Sequence, residues 1–155
     1  MSAKEKIESY LKDNNVAYGV RRHAPAFTAQ QVAESEHVSG RLVVKVVIVK
    51  ANGDDLRMVA LPAPLNVNLS KAAALMGVPE VRLAHEDEFA ARFPGCEVGA
   101  MPPLGNLYGM PVYVDRSLTE DETIIFQAGT HEHAIQMKYA DFERLVQPLA
   151  GDLAN

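Results

Sequence analysis

Apolar and polar positions recur with two periods along this chain, and the switches between them divide it into elements. Ile7, Tyr10 and Leu11 sit at helical spacing among charged neighbours, predicting an amphipathic helix over 4–14 that Asn14-Asn15 stops. Residues 16–22 alternate as a strand. Thr28 with Gln31 three positions on forms a T-x-x-Q capping pattern, and Ala29, Val32 and Ala33 give the helix behind it a small apolar face. "RLVVKVVIVK" at 41–50 reads as a strand apolar on both faces, and Asn52-Gly53 turns it back into an antiparallel partner over 56–61. Pro62 and Pro64 end that strand. A helix over 69–76 is closed by Gly77, a short strand follows over 81–83, and a helix over 86–93 is broken by Pro94-Gly95. "GAMPPLGNLYG" at 99–109 holds too many glycines and prolines for a regular element. Strands over 110–114, 123–127 and 134–138 come next, and Phe142, Leu145, Val146 and Leu149 mark a closing helix.

The hairpins, set against the absence of regular β-α-β alternation, predict one α/β domain over 1–155 with a mixed or antiparallel sheet flanked by helices. Apolar residues make up 48% and charged residues 23%, the balance of a soluble globular protein. Apolar runs fall short of the roughly 18 residues a membrane span requires. The charged N-terminus is unlike a secretory signal, so a cytoplasmic location without membrane partners is expected. The single cysteine, Cys96, can make no internal disulfide and no thiolate metal site, and is expected to be a small core or loop residue.

A net charge of −5 argues against a broad surface that coats duplex DNA. Arg21, Arg22, Arg41, Lys45 and Lys50 nevertheless lie within one 30-residue span and could meet a few phosphates if the fold gathers them. Within the apolar strand, Lys45 shares its face with Val43, Val47 and Val49. Three explanations compete for it: an ammonium that snorkels to the sheet's edge, a buried ion pair, or a pocket lysine that meets a ligand oxygen.

The 99–109 loop could point backbone amides at a phosphate, a carboxylate or a developing oxyanion, or simply connect strands. His131 and His133 could place two imidazoles on one strand face, but no H-E-x-x-H pattern supplies a third ligand, so no metal is expected. His23 precedes Ala24-Pro25, where it could bond a loop carbonyl or contact substrate. No G-x-S-x-G elbow, P-loop or dinucleotide fingerprint occurs, so covalent triads, ATP and NAD are not expected, and no cofactor is implied. The remaining groups suffice for hydrolysing an activated ester, a reaction that needs orientation, oxyanion stabilisation and water.

In order, "HAPAFTAQQVAE" at 23–34, "VVKVVIVK" at 43–50, "LNVNLSKAAALMG" at 65–77, "GAMPP" at 99–103 and "AIQMKYADFERL" at 134–145 resemble the YbaK and prolyl-tRNA synthetase editing-domain family. The resemblance implies a curved, barrel-like sheet flanked by helices, and hydrolysis of the ester joining a wrong amino acid to the 3′-terminal adenosine of a tRNA. It further implies an aminoacyl-tRNA acceptor end as partner, a free-standing trans-editing factor, and a synthetase that could deliver the substrate. Lys45 matches the family's functional lysine, and Gly99 and Pro103 match its G-x-x-x-P loop; these three are the implied catalytic residues. His23, Thr28, Val46, Ala100, Met101, Gly129 and His131 are the implied substrate-binding set. Two departures bear on specificity: Val46 stands where a polar residue is common, and Ala63-Pro64 replaces a glycine-acid turn. Alanyl-tRNA(Pro) is the first expected substrate, and cysteinyl-tRNA(Pro) or another small amino acid the second. A non-catalytic module of the same fold, binding aminoacyl-tRNA or a synthetase, is the alternative. A metal hydrolase built on His131 and His133 is a third reading.

Overall fold

The strand that carries Lys45 is paired on both edges, and the rest of the molecule is arranged around it. In the computed structural model, residues 2–23, 29–36 and 39–155 are described, 34–36 by backbone only. The order is α1 (Ala3–Asp13), β1 (Tyr18–Arg22), α2 (Ala29–Glu36), β2 (Val44–Ala51), β3 (Asp55–Pro62), α3 (Leu69–Met76), β4 (Val81–Leu83), α4 (Glu86–Phe89), β5 (Val112–Asp115), β6 (Thr123–Gln127), β7 (His133–Lys138), α5 (Tyr139–Val146) and β8 (Leu149–Gly151).

Among the described residues two sheets form. One is mixed, ordered β4-β2-β3-β5-β8, with β3, β5 and β8 parallel; the other is antiparallel, ordered β1-β7-β6. A bridge between Val43 and Ile125 joins them. The architecture is the expected helix-flanked mixed α/β fold, but the sheet does not close into a barrel: the pairing splits into two sheets, and the edge strands β4 and β8 remain unjoined.

Alternation along β2 places Val44 and Ile48 in the main core with Ile7, Leu11, Phe126, Ile135 and Phe142, while Val49 and Ala51 join Val59, Leu61 and Ala72 under α3. A third cluster packs Val32 and Ala33 of α2 on Val43, Ile125 and Ala134. Burying apolar surface on both faces is what fixes the register here, since a one-residue slip would turn Lys45 into the core.

Three boundaries differ from the sequence expectation. Arg41 and Leu42 belong to a 3-10 turn, Gly40–Leu42, because the Ser39 hydroxyl accepts from the Arg41 N–H and holds the chain out of the ladder. The 99–109 loop contains a 3-10 turn, Gly105–Tyr108; Gly105 is required there, since a Cβ would lie 2.6 Å from Val112 Cγ2. The closing helix ends at Val146, not Leu149. Gln147 takes φ 52° ahead of Pro148, and Leu149–Gly151 becomes β8, parallel to β5.

Behind β8 the chain is tied down by Asp115, whose carboxylate accepts from the Leu153 N–H at 2.9 Å and the Ser117 N–H at 3.1 Å. Burial alone would raise its pKa, but these bonds together with one from the Ser117 hydroxyl bring it below the ordinary value. A lowered carboxylate pKa stabilises the fold above the unfolded value and loses that contribution as pH falls through the folded one. Asp115→Ala is therefore expected to cost about 1–3 kcal/mol at neutral pH. In urea titrations at several pH values, the gap between variant and parent should narrow below the usual carboxylate range.

Candidate functional site

Lys45 is the second residue of β2, opposite Leu61 of β3, close to where both strands end. From there its stem reaches the loop after β3, and the ammonium donates to Asn66 Oδ1 at 3.1 Å. Asn66 is itself held by the C-terminal tail, through Asn155 N–H to its carbonyl and the Val67–Ala154 bridge. Partial burial lowers the Lys45 pKa. Among the described residues no carboxylate comes within ion-pair distance, in contrast to Lys50 on the same strand, which pairs with Glu88 and Asp54. The buried-pair explanation therefore fails. The ammonium is partly desolvated and, among the described residues, unmatched by charge, so an oxygen ligand beside it would gain from the contact.

A cavity of about 210 Å³ opens at this position, lined by Ala29, Val44, Lys45, Val46, Gly99, Met101 and Gln127. Beside it lies a second hollow of about 270 Å³, lined by Ala29, Gln30, Lys45, Ala63, Pro64 and Asn66. Lys45 belongs to both.

The far wall is the 97–101 loop, which is bound to the β6–β7 turn. Glu97 N–H donates to the Gly129 carbonyl at 2.8 Å, Gly129 N–H to the Ala100 carbonyl at 2.9 Å, and Ala100 N–H to the Glu97 carbonyl at 3.0 Å. Gly99 has φ 87°, a left-handed conformation that favours glycine. Among the described residues its N–H meets only the Met101 sulfur, at 3.3 Å, and a thioether is a weak acceptor that a carbonyl oxygen would displace.

Of the implied residues, Lys45, Val46, Gly99 and Met101 meet at the cavity. Ala100 and Pro103 are buried and are not among the residues that line it. Gly129 also supports rather than lines: a Cβ there would lie 2.7 Å from Ala3 Cβ, so its lack of a side chain lets α1 pack. His23 continues the β1–β7 ladder through its N–H to the Glu132 carbonyl at 2.8 Å. Thr28, and with it the expected helix cap, lies outside the described residues.

His131 is buried in the β6–β7 turn rather than on the strand, so it does not share a strand face with His133 as the sequence suggested. Its Nε2 lies 2.9 Å from the Val98 carbonyl, and its Nδ1 lies 3.4 Å from Gln127 Nε2; His133 instead meets the Thr130 hydroxyl at 2.7 Å. Among the described residues no group of three metal-ligating side chains forms. Of the basic residues of 21–50, Arg21 bonds Gln136, Arg22 lies 3.7 Å from Glu132, and Lys50 is paired with Glu88 and Asp54. Gln127 and Asn66 carried no local signal in the sequence; strand pairing and the C-terminal tail bring them to the site.

The model for the aminoacyl-tRNA editing domain matches residues 23–145, a span that includes every element of the cavity. The chain belongs to that family. It is accordingly an enzyme that hydrolyses the carboxylic ester of aminoacyl-tRNA. Among curated proteins, the multifunctional Ser/Thr-tRNA deacylase ProXp-y of Escherichia coli (strain K12) is 26% identical over 148 residues, covering 93% of this chain and 88% of that protein. A solved structure described only as a hypothetical protein superposes with TM-score 0.87 at 23% identity, covering 97% of this chain and 99% of the other. Another, put forward as a trans-editing enzyme for prolyl-tRNA synthetase, gives TM-score 0.83 at 19% identity, covering 100% and 98%. At these identities the two structures speak for the fold. Among the described residues no helix is long and apolar enough to cross a membrane.

Proposed function

We propose that this editing domain removes small amino acids, serine and alanine first, from the 3′ end of mischarged tRNA. One observation carries the reading: an ammonium that has no carboxylate partner among the described residues and a glycine amide that meets only a thioether among them line the same small cavity. In the mechanism this supports, the aminoacyl group enters the 210 Å³ cavity while the terminal nucleotide lies across the neighbouring hollow. Lys45 holds a ribose or phosphate oxygen between them. Water adds to the ester carbonyl, and the developing oxyanion takes the Gly99 N–H from the Met101 sulfur. The carbon–oxygen bond to the ribose then breaks, the ribose oxygen takes a proton from the attacking water, and the free amino acid leaves. No side chain acts as a nucleophile, because an activated ester needs none.

Specificity follows from the lining. Ala29, Val44, Val46 and Met101 present methyl and thioether groups, and a wall of this kind discriminates one methylene by only about 1–3 kcal/mol. Gln127 adds an amide to that wall, which favours a hydroxyl and places serine beside the alanine expected from sequence. The curated relative acts, by its name, on Ser/Thr-tRNA.

The test is amino-acid release from seryl-, threonyl-, alanyl-, cysteinyl- and prolyl-tRNA, with spontaneous hydrolysis subtracted. Fast release of serine or alanine and slow release of proline is the expected pattern. Release of none of them would remove the catalytic reading and leave a domain that binds aminoacyl-tRNA ends. With a net charge of −5, tRNA affinity is expected to be modest and to fall with salt, which favours delivery by a synthetase partner.

A further inference from the structure

Gln127 is buried, with 7% of its surface exposed, at the last position of β6, where it both lines the cavity and reaches back across the β6–β7 turn to His131. Gln127, His131 and the Val98 carbonyl form a chain. Gln127 Nε2 stands 3.4 Å from His131 Nδ1, and His131 Nε2 stands 2.9 Å from the carbonyl of Val98, the residue before Gly99. A carbonyl can only accept, so Nε2 carries the hydrogen. In the neutral ring Nδ1 then holds a lone pair, and among the described residues the Gln127 amide is placed to donate to it.

We propose that Gln127 is a positioning residue: it holds His131 in the Nε2–H tautomer, His131 fastens the Val98 carbonyl, and the Gly99 N–H is thereby fixed on the cavity. The proposal rests on the deacylase reading for its catalytic consequence, not for its geometry. The charged and titratable groups that face this turn are Glu97, Lys45, Glu132 and His133. Glu97 places a carboxylate oxygen 3.8 Å from Nε2, but that oxygen also takes the His131 N–H at 3.4 Å. Lys45 stands on the same cavity, Glu132 lies beside Arg22, and His133 is turned to Thr130.

Two variants separate positioning from general structure. Gln127→Leu keeps the volume and removes the donor; with alanyl-tRNA, whose side chain has no hydroxyl to meet the amide, kcat should fall roughly 10- to 100-fold while KM stays within about threefold, the pattern of a misplaced amide and not of lost binding. Gln127→Glu offers Nδ1 a carboxylate. While the carboxylate–His131 pair holds its extra proton, Nε2–H still reaches Val98 and activity should be near that of the parent. Once the pair loses it, the remaining proton stays on Nδ1 beside the carboxylate, and Nε2 faces the Val98 carbonyl lone pair to lone pair. The variant should therefore lose activity as pH rises through a range where the parent keeps it.

Ring-nitrogen correlation spectra of the uniformly 15N-labelled full chain read the tautomer directly. Nε2–H at His131 in the parent, with the Gly99 amide resonance displaced in Gln127→Leu, is the expected result. An Nδ1–H tautomer in the parent, or parental kcat in a folded Gln127→Leu, overturns the proposal. Should the parent deacylate no substrate, the spectra still decide whether the chain of bonds exists, so failure of the deacylase reading and failure of this inference are told apart.

Discussion

Lys45→Met is expected to lower deacylation by about 10²–10³-fold without lowering the melting point, the loss typical of a removed electrostatic donor in a partly desolvated site. The argument comes from what the ammonium lacks. Its pKa is lowered because partial burial strips water from it, and among the described residues no carboxylate returns the lost solvation. For a base, a lowered folded pKa means that the unfolded chain binds the proton more tightly. The charge therefore opposes folding fully at pH values below the folded pKa, and that opposition fades as pH rises from the folded pKa to the unfolded one. Removing it should cost no stability, and methionine keeps the stem that packs along β2. Lys45→Arg tests the geometry: it restores charge as a planar fork in a space shaped for a point donor, and should recover only part of the rate. Parental activity in Lys45→Met with an unchanged melt would remove the lysine from the mechanism.

The anomaly at Lys45 was legible in the sequence because strand periodicity is local: seven flanking apolar positions make one charge conspicuous. The same holds for Gly99 and the prolines behind it, whose restricted backbones mark a shaped loop before any contact is known. What escaped was non-local. Gln127 reads as an ordinary polar residue at a strand end, and only the pairing of β6 with β7 and the returning His131 reveal a chain of bonds through it. Asn66 is likewise one asparagine among several until the last residues of the chain fold back on it. Leu149 reads as helical because its spacing from Leu145 and Val146 fits a helix as well as a strand. The deciding fact, a strand edge at β5 awaiting a parallel partner, is tertiary. Barrel-like closure was implied by resemblance alone, and strand composition holds no information on whether two sheets join at one edge or at both.

Phe126→Ala is expected to destabilise the fold by about 3–5 kcal/mol, the cost of truncating a large ring in a close-packed interior. The side chain is fully buried on β6, opposite Ile135, in the cluster where the three-stranded sheet meets α1, α5 and the mixed sheet. Against a total stability of about 5–15 kcal/mol for a typical domain, the loss should lower the midpoint of thermal unfolding by about 10 °C. Its consequence for the site follows from β alternation: the ring that locks β6 onto the core sits one residue before Gln127, whose side chain turns the opposite way into the cavity. A loosened β6 would let Gln127 and the β6–β7 turn shift together, so catalysis should decline well below the melting midpoint. Phe126→Leu, closer in volume, should recover most of the stability and with it the rate. A folded Phe126→Ala that melts like the parent would show that the two sheets are held together elsewhere. A rate that stays parental until global unfolding would show that the cavity wall does not depend on the core behind it.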